Sequence, residues 1–103
     1  MQIEHLSQKK LEKDLLQIIG KYLDLNSTKV FFFGSRVNGS SNDRSDIDVG
    51  LEAKEPISSN ILWKIKEEVE NFSTLYSIDI VDFKSAAKDF REIAYQKIEP
   101  ITK

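Results

Sequence analysis

The chain has 103 residues, 40% of them hydrophobic and 31% charged, a balance that suits one globular domain built on a single core. Fifteen Lys and Arg against seventeen Asp and Glu give a formal net charge of −2, which argues against a basic face that grips nucleic acid directly. There is no cysteine, so a disulfide framework and a thiolate zinc site are both excluded. No apolar run approaches the roughly 18 residues that a membrane span needs. The opening MQIEHLSQKK lacks the basic-then-apolar order of a signal peptide, and the expectation is one cytoplasmic domain over residues 1–103. His5, the one histidine, reads as a surface residue rather than a ligand.

The first predicted element is a helix over 8–24. Leu11, Leu15, Ile18, Ile19, Tyr22 and Leu23 recur at steps of three and four, with Ser7 as N-cap and Asn26-Ser27 as the break. Lys29 to Phe33 comes next as a strand. Its unbroken VFFF run predicts burial on both faces, and Gly34 ends it. Residues 35–45 read as a polar loop. Asp46 to Leu51 is the second strand, with Ile47, Val49 and Leu51 on one face and Asp46, Asp48 and Gly50 on the other. A helix over about 58–71 puts Ile61, Leu62, Ile65, Val69 and Phe72 on one stripe. Tyr76 to Phe83 reads as a third strand. A last helix runs from a cap at Ser85 to about Ile98, with Ala86, Phe90, Ile93 and Ala94 inward and Pro100 just past its end. The fold class is therefore α/β: a small sheet of about three core strands flanked by helices. The loop between the first two strands is too long for a tight hairpin, so the sequence leaves their relative direction open.

The chemistry gathers between residues 34 and 48. A glycine at a strand end lets a bulky group approach the backbone. The adjoining Ser35 adds a hydroxyl and an N–H, and a helical turn starting there would form an anion site. Arg36 and Arg44 flank the loop and suit phosphate oxygens. Gly-Ser after a strand is, by itself, more often a plain turn. Asp46 and Asp48 share a strand face with their Cα atoms roughly 7 Å apart. Such a pair repels itself unless a cation intervenes, and its hard oxygens suit Mg²⁺. An amphipathic strand with its acidic face in water has the same pattern. Asp79 stands between Ile78 and Ile80, and Asp82 comes after it at odd spacing, so these two acids face opposite sides. Only one of them can join Asp46 and Asp48. Three joined carboxylates would make a site for in-line phosphoryl chemistry, with two metals or with one metal and a base.

Taken together, Gly34-Ser35, ten residues, Asp46-Ile47-Asp48 and a later strand acid resemble the nucleotidyltransferase superfamily of polymerase-beta type. The stretch FGSRVNGSSNDRSDIDV, Phe33 to Val49, is similar to the loop of its smallest branch, the minimal nucleotidyltransferases. That resemblance covers nearly the whole chain, and it implies the fold of that superfamily, an α/β (α+β) domain with a small mixed sheet. It implies that Gly34 and Ser35 hold nucleotide phosphates, with Arg36 as a phosphate contact and Ser45 on the nucleotide side. It further implies that Asp46 and Asp48 bind Mg²⁺ or Mn²⁺ and that Asp79, rather than Asp82, is the third carboxylate. The branch resembles the antitoxin half of two-gene modules whose toxin is an all-helical HEPN-type RNase. For this chain the resemblance implies a hetero-oligomer with such a partner and transfer of AMP from ATP to a partner tyrosine. The alternative is a non-catalytic antitoxin that neutralises the partner by contact. One departure is Pro100, where the branch tends to have a glycine-containing turn. Trp63 and Tyr95 fall off their helices' apolar stripes, and are either interface anchors or covered by the sheet and its loops.

Overall fold

The computed structural model describes residues 8–34, 47–72 and 77–102. Its centre is β1 (Lys29–Phe33), which lacks polar alternation because both of its faces are covered. Val30 and Phe32 point one way, Phe31 and Phe33 the other, and all four are buried. On one side β2 (Ile47–Glu52) pairs antiparallel with β1, setting Phe33 opposite Asp48 and Phe31 opposite Gly50. Beyond it β3 (Ile78–Asp82) runs parallel to β2. A two-residue β4 (Glu99–Pro100) pairs with the other flank of β1, and the order is β3-β2-β1-β4.

Two helices cover one face. From α1 (Gln8–Ile19) come Leu11, Leu15, Ile18 and Ile19, and from α2 (Ser59–Phe72) come Ile65 and Val69. They form one cluster with Val30, Phe32, Ile47, Val49, Leu51 and Ile80 of the sheet. A fully buried side chain of this kind contributes about 1.5–3 kcal/mol of burial free energy, so this layer is the main source of stability. α2 is also the crossover that a parallel β2–β3 pair requires.

The opposite face is aromatic. Phe31, Phe33 and Phe83 form its core, with Val81, Ala94, Tyr95 and Ile98 packed on them from β3, from α3 (Lys88–Tyr95) and from the segment after α3. Phe83 meets Phe31 at 4.8 Å and 81°, and Phe33 at 5.1 Å and 79°, the edge-to-face geometry that ring quadrupoles favour. Gly50 makes room for these rings, since a Cβ there would lie 2.6 Å from Phe31 and 2.7 Å from Phe83.

Several elements depart from the expectation. α1 ends at Ile19, not residue 24, and Gly20 leads into turns in which Leu23 N donates to Ile19 O at 2.9 Å. Tyr22 and Leu23 still pack on the core from those turns, which is why the periodicity runs on. α3 starts at Lys88, not Ser85. The Ser85 hydroxyl donates to Asp82 Oδ2 at 2.9 Å, so it serves the preceding turn, and Ala87 occupies the N-cap without a side-chain bond. Phe90 and Ile93, expected inward, are 41% and 70% exposed, whereas Ala94 does pack inward. β4 has no counterpart among the expected elements. Pro100 tolerates its place there because β4 is an edge strand and has no ladder donor to lose. Ile101 N donates to Val30 O at 2.7 Å, and Thr102 Oγ1 accepts from Val30 N at 3.0 Å.

The two off-stripe aromatics part company. Trp63 is 64% exposed, so neither sheet nor loops cover it. Tyr95 is covered: its ring lies 5.6 Å from Phe31 and 5.2 Å from Phe83, and its hydroxyl donates to Glu52 Oε1 at 2.6 Å. Burial first, and then that bond to a carboxylate, pushes the phenol above its ordinary range. His5 and Ser7 lie outside the described residues. Among the described residues no helix is long and apolar enough to cross a membrane.

Candidate functional site

The aromatic face of the sheet is also the face of the acids. Phe33 pairs with Asp48, and Asp48 pairs in turn with Asp79 across the parallel β2–β3 ladder. Neighbouring strands lie about 4.8 Å apart, so the two carboxylates leave adjacent backbones on one side. Asp48 is half-buried and Asp79 exposed.

Gly34 adjoins them. Its φ of +86° lies in the left-handed region, where a side chain is strained. A Cβ at that position would run into the Asp48 carboxylate, with Asp48 Cγ at 3.1 Å and Cβ at 3.3 Å. Glycine is thus required twice, for the turn of the chain and for the closeness of the acid.

Asp82 has a different occupation. It pairs with Leu51 on the α1/α2 face and is 7% exposed. Its Oδ2 accepts from Ile57 N and Ser85 Oγ, both at 2.9 Å, and its Oδ1 from Lys84 N at 3.0 Å. These bonds tie β3 to the segment that leads into α2 and to the turn after β3. The parity expected from the sequence therefore holds, and the acid beside Asp48 is Asp79.

Asp48 and Asp79 open into a cavity of about 620 Å³. Gly34 and the two acids give it a polar, anionic part. Phe33, Val81, Ala94, Phe90 and Ile93 give it an apolar wall, and Gln96 and Lys97 are the other described residues that line it. Phe90, Ile93, Gln96 and Lys97 are not site residues on the sequence reading. Residues 90, 93 and 97 do recur at three- and four-residue steps, but that spacing is equally the signature of a core-facing stripe. Ser35, Arg36, Arg44, Ser45 and Asp46 lie outside the described residues. Among the described residues no group of three or more His, Asp or Glu is gathered as a metal site. The Asp48–Asp79 pair fits a hard divalent cation in donor type, since carboxylate oxygens are the ligands such an ion takes.

The family model described as "Polymerase beta, Nucleotidyltransferase" matches residues 13–102. The chain belongs to the polymerase beta nucleotidyltransferase family. As a nucleotidyltransferase-family chain it resembles the "Probable protein adenylyltransferase MntA" of Haemophilus influenzae, with 33% identity over 64 residues. That match takes in 62% of this chain and 56% of the relative, so it spans little more than half of the relative's length. A chain from the crystal structure of a toxin–antitoxin with AMP-PNP has the same fold, with a TM-score of 0.72 at 18% identity. The superposition covers 87% of this chain and 71% of that one. A chain from the complex of a tri-AMPylated Shewanella oneidensis HEPN toxin with its MNT antitoxin gives a TM-score of 0.71 at 16% identity. There the coverage is 92% of this chain and 71% of the other. The nucleotidyltransferase fold expected from residues 33–49 is borne out at the level of family and architecture.

Proposed function

We propose that this nucleotidyltransferase-family chain transfers AMP from ATP to a tyrosine hydroxyl of a HEPN-type toxin, and so acts as the antitoxin of a two-component module. The observation that carries the reading is the register that sets Asp48 beside Asp79, with Gly34 against the Asp48 carboxylate. The names of its relatives point the same way: one is a probable protein adenylyltransferase, and others come from complexes with an ATP analogue or an AMPylated HEPN toxin. The net charge of −2 favours a protein acceptor over a nucleic acid. ATP as donor and the absence of cysteine suit the cytoplasm.

In this reading Gly34 and Ser35 seat the phosphates, Arg36 pairs with a phosphate oxygen, and Ser45 lines the nucleotide side. Asp46, Asp48 and Asp79 would hold Mg²⁺ or Mn²⁺, which when bound neutralises the triphosphate and acidifies the attacking hydroxyl. The tyrosine oxygen bonds to the α-phosphorus as the bond to the bridging oxygen breaks, and pyrophosphate leaves. Asp79, the more exposed acid of the described pair, accepts the phenolic proton.

The test incubates the protein with Mg²⁺, α-labelled ATP and the HEPN-type product of a neighbouring gene. Label is expected on the partner, and is expected to fall to background with Asp48→Asn or Asp79→Asn. Transfer that persists in both variants would refute the assignment. Neutralisation of the partner without label, unaffected by the same substitutions, would establish a contact-only antitoxin instead.

A further inference from the structure

α3 carries an anomaly. Phe90 and Ile93 are two of the three large hydrophobic side chains that stand out as exposed among the described residues, and both line the cavity of Asp48 and Asp79. Phe90 is held from behind: its ring meets Phe33 edge-on at 5.9 Å and 88°, and it lies 5.6 Å from Phe83. Its remaining surface is thus a fixed apolar face turned to the cavity, with Ile93 one turn further along the helix. Beside them Gln96 brings an amide, which both donates and accepts, and Lys97 brings a positive charge.

We propose that Phe90 and Ile93 form the platform for the nucleobase of the donor, with Gln96 at the base edge and Lys97 on the phosphate chain. This rests on the nucleotidyltransferase reading above and names a part of the substrate that the acids do not touch. The polarity of the lining matches a nucleoside triphosphate: carboxylates suited to a metal–phosphate complex, then an apolar wall, then a group able to read a hydrogen-bonding edge. About 620 Å³ is within the usual range for a site that encloses a ligand of that size. The ring of an acceptor tyrosine would also lie against Phe90. It has no hydrogen-bonding edge for Gln96, however, and no anion for Lys97, and the nucleotide uses both.

The experiment compares ATP with inorganic tripolyphosphate, which keeps the anion and lacks the base. Binding of each to the intact chain is measured in Mg²⁺ by calorimetry, for the wild type, Ile93→Ser and Phe90→Leu. Stacking on a platform of this kind predicts roughly tenfold weaker ATP binding in the variants, with tripolyphosphate binding unchanged. Ile93 is 70% exposed, so its replacement leaves the core intact even if Phe90→Leu loosens the aromatic cluster. Equal losses for ATP and tripolyphosphate in Ile93→Ser would overturn the proposal, as would no loss for either. Unchanged ATP binding with a raised KM for the partner protein would assign the wall to the acceptor and overturn it too. If the wild type binds tripolyphosphate as tightly as ATP, the base platform falls while the nucleotidyltransferase reading stands. If it binds neither, both fall.

Discussion

Replacing Gly34 by alanine perturbs the site through two separable physical effects. At φ +86° an L side chain pays for the left-handed backbone, about 1–2 kcal/mol. The new Cβ also enters the space of the Asp48 carboxylate, whose Cγ and Cβ lie 3.1 and 3.3 Å from it. Overpacking of that kind costs about 1–3 kcal/mol. The sum, about 2–5 kcal/mol, is a large share of the roughly 5–15 kcal/mol by which such a domain is stable. Urea unfolding monitored by circular dichroism should therefore show a midpoint lower by roughly 1–2 M. The two shares are separated by a double-mutant cycle. In an Asp48→Ala background the carboxylate is gone and only the 3.3 Å contact with Cβ remains, so Gly34→Ala should then cost little more than the backbone share. A Gly34→Ala protein within about 0.5 kcal/mol of wild type would refute the reasoning. A cost that does not shrink in the Asp48→Ala background would refute the overlap in particular.

Asp82→Ala strands two backbone N–H groups, those of Ile57 and Lys84, and should destabilise by about 3 kcal/mol in chemical denaturation; a loss under 1 kcal/mol would show that the acid is not a structural hub. Gly50→Ala drives a methyl into the rings of Phe31 and Phe83 and should cost about 1–3 kcal/mol, seen as a lower Tm, with part of the loss recovered when Phe31→Leu is added. Tyr95→Phe removes the bond to Glu52 and should cost about 1 kcal/mol near neutral pH. Because the folded-state phenol is raised above its ordinary 10.0, the wild-type advantage is complete below that value and declines as pH climbs beyond it. Stability curves of the two proteins should converge at high pH, and a constant gap would contradict the assignment.

Much of the fold and of the site is legible in the chain because the informative signals are local and periodic. VFFF announces a strand covered on both faces, and the odd spacing of Asp79 and Asp82 sends them to opposite faces, as the register confirms. The spacing from Gly34-Ser35 to Asp46-Asp48 points to the family that the chain belongs to. What stays hidden depends on tertiary partners. Nothing in residues 46–51 says that β2 runs antiparallel to β1 yet parallel to β3, since pairing direction is set by where the connections cross. A two-residue strand ending in proline has no pattern to read, so β4 escapes. The stripe of α3 looks like core because an exposed apolar wall and a buried one have the same periodicity. Only the cavity beside Asp48 and Asp79 tells them apart.

The alternation of β3 has a bearing on assembly as well as on the site. Slide β3 by one residue along β2, and Asp79 would turn into the apolar layer beneath α1 and α2, while Asp82 would swing away from Ile57. A charge would then be buried without a partner, and isoleucines would be turned out toward the cavity. The acids thus act as a checksum on strand pairing: a misaligned sheet is penalised at two positions at once, on opposite faces, before any ligand arrives.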